Sequence, residues 1–271
     1  MTDRAIEILA DRDRPGAFIL RIDGTDQSYV DLDDPLRLEF DYVQRIVDVI
    51  DAHGVPGSPL RFVHIGGAGM SVPRYVASTR PTSSQIVLEP NERVTALVRE
   101  QLPLPRNSGI KVRPVDGRTG ITAMRPDFAD VLVLDAFDGA RIPADLVTTE
   151  FFEQASNVLT DGGLLLLNLA DRAPFAYARR VIAGVCAHFP NVMISAEPAT
   201  LKGRRFGNLL VVGSRGPIPW ESLARRAASS PLPYRVVPYR EVVDRFAGQS
   251  PFTDSDTEQS PPPPGGAAFF S

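Results

Sequence analysis

At 271 residues with a formal net charge of −4, the chain can hold one large domain and lacks the basic, aromatic-interleaved block that nucleic-acid binding requires. Its 43% hydrophobic content supplies a core, yet no uninterrupted apolar run reaches the roughly 18 residues that cross a bilayer. The single cysteine, Cys186, excludes an internal disulfide framework and fits a reducing cytoplasm, where we place the protein. It lies in the helix-like VIAGVCAHF, where a small core residue is expected. The opening MTDRAIEILADRDRP is charged throughout, so a secretory signal is not expected.

Residues 1–35 read as a β segment. IEILA, AFILRI and QSYVDL are apolar or alternating, and the turn-forming DRDRPG and DGTD separate them. From Leu36 the spacing becomes helical, with Leu38, Tyr42, Ile46, Val49 and Ile50 on one face, until HGVPGSP breaks the helix. A repeating unit follows. Strand LRFVHIG leads to helix SVPRYVAST, strand SQIVLEP to helix NERVTALVREQL, and KVRPVD and ADVLVLDAF are strands three and four. TTEFFEQASNVL is a helix, GGLLLLNLA a fifth strand, and APFAYARRVIAGVCAHF a long helix. NVMISAE and NLLVVGS close the series without a helix between them, which predicts an antiparallel pair at the sheet edge.

Strands alternating with helices, with near-continuous apolar runs, predict a mostly parallel sheet covered on both faces. Seven strands with the last one reversed give a class I methyltransferase-like Rossmann sandwich. WESLARRAAS and YREVVDRFAG are further helices, so the main domain is expected over 36–248. Residues 249–271, rich in Pro, Gly, Ser and acids, are expected to be disordered.

In such a sheet, ligands bind beyond the carboxyl ends of the strands. Gly66, Gly67 and Gly69 follow the first of these strands, where glycines let the backbone approach a ligand. Glu89 ends the second, where a carboxylate can accept both hydroxyls of a ribose; a plain surface acid is the alternative. Asp116 follows the third and can accept from an adenine amino group, although Asp116-Gly117 is also a turn signal. Asp135 ends the fourth, where partial desolvation raises a carboxyl toward a useful base. Asp138 comes three residues later; together the two acids can hold a cationic amine, or Asp138-Gly139 can simply turn the chain. His53, His64 and His188 are scattered and no paired Cys/His spacing exists, so no metal site is expected.

The order of these motifs resembles the polyamine aminopropyltransferases, the spermidine synthases and their relatives, over most of residues 5–215. RIDGTDQSYVDLDDP resembles their N-terminal segment, with Gln27 as the nucleoside-contacting glutamine. HIGGAGMSVPRYV resembles the glycine motif, IVLEPNERV the ribose-binding segment with Glu89, and VDGR the adenine-contacting segment with Asp116. DVLVLDAFDGARIPADLVTTEFFEQASNVLTDGGLLLLNL resembles the catalytic strand, the active-site lid loop and the helix and strand after them. The resemblance implies Asp135 as the general base, Asp138 and Glu39 as substrate-binding acids, and a homodimer. It implies transfer of an aminopropyl group from decarboxylated S-adenosylmethionine to an amine such as putrescine, with no permanently bound cofactor.

Three positions depart from the family pattern. Gly69 stands where the family carries an aspartate for the donor's amine. Arg37-Leu38-Glu39 replaces a Tyr-His-Glu segment and keeps only its acid, and Ala136 and Phe137 replace two serines. These departures keep two alternatives open: an S-adenosylmethionine-dependent methyltransferase with another acceptor, or a non-catalytic nucleoside-binding protein.

Overall fold

The computed structural model describes residues 4–246 and 248–264. Strands β1 (Ile6–Ala10), β2 (Ala17–Ile22) and β3 (Thr25–Asp31) form an antiparallel three-stranded sheet over the expected N-terminal segment. Helix α1 (Asp41–Ala52) leads into β4 (Arg61–Ile65), α2 (Ser71–Thr79), β5 (Ser84–Leu88), α3 (Glu92–Gln101) and β6 (Ile110–Arg113). Then come α4 (Gly117–Thr122), β7 (Ala129–Leu134), α5 (Thr149–Val158), β8 (Leu159–Asp171) and α6 (Ala176–His188). Strand β9 (Asn191–Ala196), the single turn α7 (Pro198–Leu201), β10 (Gly207–Ser214), α8 (Trp220–Ser229), β11 (Arg235–Val237) and α9 (Tyr239–Phe246) complete the domain.

The main sheet runs β11-β9-β10-β8-β7-β4-β5-β6. Strands β8, β7, β4, β5 and β6 are parallel, and β10 is antiparallel to both β8 and β9. This is the class I methyltransferase-like architecture expected from the sequence. Two details differ. The sheet has eight strands, because Arg235–Val237 adds a strand outside β9. In consequence the antiparallel pair is not at the edge; β10 is wedged between β8 and β9. A three-residue strand beside prolines carries too little alternation to be read from sequence.

Period two in the strands explains why their apolar runs are continuous. On β7, Leu132 and Leu134 face a core built with α4, α5, α6 and α9, while Val131 and Val133 face a second core built with α1, α2 and α8. On β8, Leu165, Leu167 and Leu169 join the first core, and Leu164 and Leu166 the second. The N-terminal sheet packs through Leu20 and Val30 against Met70 and the α3 residues Val94 and Val98. That contact fixes β3 beside the turn that follows β4.

The expected disorder from residue 249 onward is corrected over the described part. Phe252 and Ser260 are fully buried. Arg180 lies 4.0 Å over the Phe252 ring, Arg118 binds Asp254 and Arg180 binds Asp256. Composition misleads here because the acids are met by arginines and prolines have no N–H to satisfy. Residues 265–271 of that expectation lie outside the described residues.

Candidate active site

Ile65 is in register with Leu88 on one side and Leu134 on the other. The next residues, Gly66, Glu89 and Asp135, therefore leave the sheet side by side. Gly66 has a φ of +91°, and a Cβ there would lie 2.3 Å from the Asp135 carbonyl oxygen, so only glycine lets the two strand exits close. A cavity of about 300 Å³ opens above them, lined by Gln27, Gly66, Gly67, Glu89, Asp116 and Asp135, with Asp138 at its margin. Around this space the lining carries five acids, Glu89, Asp116, Asp135, Asp138 and Asp145, and, among the described residues, one arginine, Arg4. Such a lining favours a cationic ligand.

Glu89 braces the glycine turn. Its Oε2 accepts from the Gly67 amide at 3.0 Å and, at 3.4 Å, from Ala68, while Oε1 accepts from Asn91 at 2.8 Å. Asp116 caps α4, accepting from the Thr119 amide at 2.7 Å, and this contact first of all lowers its pKa. Asp116 thus makes the turn that Asp116-Gly117 signals and also lines the cavity.

Asp135 is the most perturbed acid of the cavity. Burial raises its pKa to about 6, opposed by hydrogen bonds from Asn168 and from the Tyr42 hydroxyl. Asn168 Nδ2 donates to Asp135 Oδ1 at 2.8 Å, and Asn208 Nδ2 donates in turn to Asn168 Oδ1 at 2.9 Å. Burial first, and then the Asp135 charge, push Tyr42 well above its ordinary value, so the phenol stays protonated as a donor. A carboxylate held in this way is fixed in orientation and, with a pKa of about 6, largely ionised at neutral pH yet more basic than an ordinary carboxylate, the state a proton acceptor needs.

Two recesses of about 50 Å³ each adjoin the main cavity. One lies between Gly67, Ser28, Tyr42, His64 and Ser71, and the other between Tyr42, Phe137, Asn168 and Asn208. His64 is a core histidine of β4. It is 2% exposed, hydrogen-bonded to Gln85 at 3.0 Å, and lowered by burial to about 4, so it is neutral. Cys186 is half-buried and pushed up to about 11, which leaves it unreactive.

No protein-family model matches the chain. A polyamine aminopropyltransferase of Chromobacterium violaceum is 26% identical over 209 residues, 75% of each chain. The structure of a probable spermidine synthase from Corynebacterium glutamicum aligns over 93% of this chain and 94% of its own, with 30% identity and a TM-score of 0.86. The protein belongs to the spermidine synthase family. A spermidine synthase solved with the transition state analogue AdoDATO shares the fold at 16% identity, with a TM-score of 0.61 over 92% of this chain and 83% of that one.

Within that family, two positions named from the sequence lie away from the cavity. Glu39 does not line these spaces; it precedes α1 at the surface, half exposed, and pairs with Arg37 at 3.2 Å. Gly69 is buried under the turn. Its amide donates to Ser28 Oγ at 3.0 Å and its carbonyl accepts from Arg74 Nε at 3.0 Å. A Cβ on Gly69 would lie 2.8 Å from the Ser28 Cβ and 2.9 Å from Val30 Cγ2, so it points at β3 and not at the ligand space. Ala68 and Met70, both at positive φ, bend the turn so that Gly67 and Ala68 face the cavity. A side chain at position 69 would therefore point at β3.

Asp138 opens a tight turn, with its amide donating to the Arg141 carbonyl at 2.7 Å, and its carboxylate pairs with Arg4. Sequence reasoning missed Tyr42, Asn168 and Asn208. Tyr42 counted only as an apolar position on α1. Asn168, however, interrupts the run LLLLNL, and a lone amide inside a buried strand is itself a signal that a polar partner is near.

Proposed function

We propose that the protein is an aminopropyltransferase that uses decarboxylated S-adenosylmethionine as donor and a small amine such as putrescine as acceptor. The observation that carries this reading is Asp135: a carboxyl raised to about 6 at the strand exits, between the nucleoside-type acids and the recess of Tyr42 and Asn168. Glu89 would accept the ribose hydroxyls, Asp116 the adenine amino group, and Gln27 would contact the nucleoside. The neutral amine attacks the aminopropyl carbon bonded to sulfur. The C–S bond breaks, sulfur keeps the electron pair as a neutral thioether, and the surplus proton on nitrogen passes to Asp135. A sulfonium is an activated leaving group, so in-line positioning and one base are sufficient. The wider assignment to a cytoplasmic homodimer follows the family.

One observation favours a second reading, methyl transfer from S-adenosylmethionine. In the recess beside the glycine turn, Asp135 is the only carboxylate among the described residues, so no other acid there selects a donor that has lost its own carboxylate. Calorimetric titration with both donors separates the two. Tighter binding of the decarboxylated donor supports aminopropyl transfer; tighter binding of S-adenosylmethionine overturns it.

A further inference from the structure

The active-site loop between β7 and α5 supplies Asp138, Pro143, Asp145 and Leu146 to the cavity wall. Its outer side is held by the C-terminal strap, residues 251–260. The Ile142 amide donates to Ser260 Oγ at 2.8 Å, and Arg141 Nε donates to the Ser260 carbonyl at 2.6 Å. Thr257 Oγ1 donates to the Ala144 carbonyl at 2.8 Å, and the Thr149 amide to the Phe252 carbonyl at 2.8 Å. Asp254 accepts from Thr148 Oγ1 and from Arg118, each at 2.7 Å, and Arg118 also donates to the Asp145 carbonyl at 3.3 Å. The loop residues tied to the strap, Arg141, Ile142 and Ala144, interleave with those lining the cavity, Pro143, Asp145 and Leu146. Phe252 and Ser260, both fully buried, anchor the strap at its two ends.

We infer that Ser260 and Asp254 are positioning residues of the nucleoside cavity, latching the active-site loop in its ligand-ready position before any ligand arrives. This rests on the proposed nucleoside site for its affinity consequence, but not for the state of the loop. A loop ordered in advance does not lose its conformational freedom at the moment of binding, and that loss otherwise weakens the ligand. The latch therefore acts on donor affinity and not on the base.

The test is hydrogen exchange on the full chain, wild type and Ser260→Ala, with and without methylthioadenosine. Without nucleoside, the Ile142 amide, which loses its Ser260 hydroxyl acceptor, is expected to exchange at least about 10-fold faster in the variant, and the Thr149 amide, held by the Phe252 carbonyl of the same strap, follows it as the strap loosens. In the wild type nucleoside adds little protection to the loop; in the variant it adds much. Methylthioadenosine binds the variant about 10-fold more weakly and the donor KM rises by a similar factor. The pH midpoint of kcat, set by Asp135, does not move, which a general loss of structure would not spare. Equal loop exchange in both proteins, or strong nucleoside-induced protection of the wild-type loop, overturns the inference. Should Ser260→Ala not fold, Asp254→Asn, at a half-exposed carboxylate, carries the same comparison. A wild type that binds no nucleoside overturns the functional proposal instead, and the exchange measured without ligand then decides the latch alone.

Discussion

Replacing Asp135 with Asn is expected to slow turnover sharply while making the protein more stable at neutral pH. The buried carboxyl has a folded pKa of about 6 against 3.8 when unfolded. Between those values the unfolded chain has already released its proton and the folded one has not, so stability falls as pH rises. Integrated, this amounts to a penalty of about 3 kcal/mol above pH 6. Asn is neutral at every pH, can still accept from Asn168, and leaves the Tyr42 hydroxyl free to rotate. Its own amide must be desolvated, so the net gain at pH 8 is about 2 kcal/mol. For a domain of this size that is a rise in Tm of roughly 4–8 °C. At pH 4 the wild-type carboxyl is protonated in the fold, and the difference shrinks to within about 0.5 kcal/mol. Thermal unfolding of both proteins at the two pH values reads this directly. A destabilised variant at pH 8, or a gain independent of pH, would refute the burial argument for Asp135. Loss of proton abstraction lowers kcat by about 100-fold or more in the same variant.

Other substitutions probe the surroundings of that carboxyl. Asn168→Leu removes a hydrogen bond that holds the Asp135 pKa down, so the acid limb of the kcat profile moves upward by about one pH unit; an unmoved limb would separate Asn168 from the base. Gly69→Asp drives a Cβ into Ser28 and Val30 and is expected to cost about 3 kcal/mol in urea unfolding, with no gain in affinity for the decarboxylated donor. A stable variant that binds this donor more tightly would show that the turn can place an acid in the cavity after all. Glu89→Gln weakens methylthioadenosine by about 10- to 100-fold in calorimetry, whereas unchanged affinity would return Glu89 to the status of a surface acid.

The sheet and its ligand edge were legible because strand ends in a parallel sheet share one side: naming where SQIVLEP and ADVLVLDAF stop already brings Glu89 and Asp135 together. The braces of the Asp135 carboxyl were not. Tyr42, Asn168 and Asn208 come from α1, β8 and β10, and only the sheet order makes them neighbours of Asp135. Gly69 shows the opposite limit. Its alignment placed it correctly in the turn, but the direction of its missing side chain depends on the φ values of Ala68 and Met70, which spacing does not encode. The C-terminal strap was hidden for a third reason. Its burial depends on two residues, Phe252 and Ser260, within a segment whose composition resembles that of unfolded chains.

The most direct measurement of the central claim is product formation by the purified wild type and Asp135→Asn, given decarboxylated S-adenosylmethionine and putrescine at pH 8. Methylthioadenosine released by the wild type, with the variant slowed about 100-fold or more, is the expected result. No methylthioadenosine from the wild type, together with S-adenosylhomocysteine when S-adenosylmethionine replaces the donor, would contradict it.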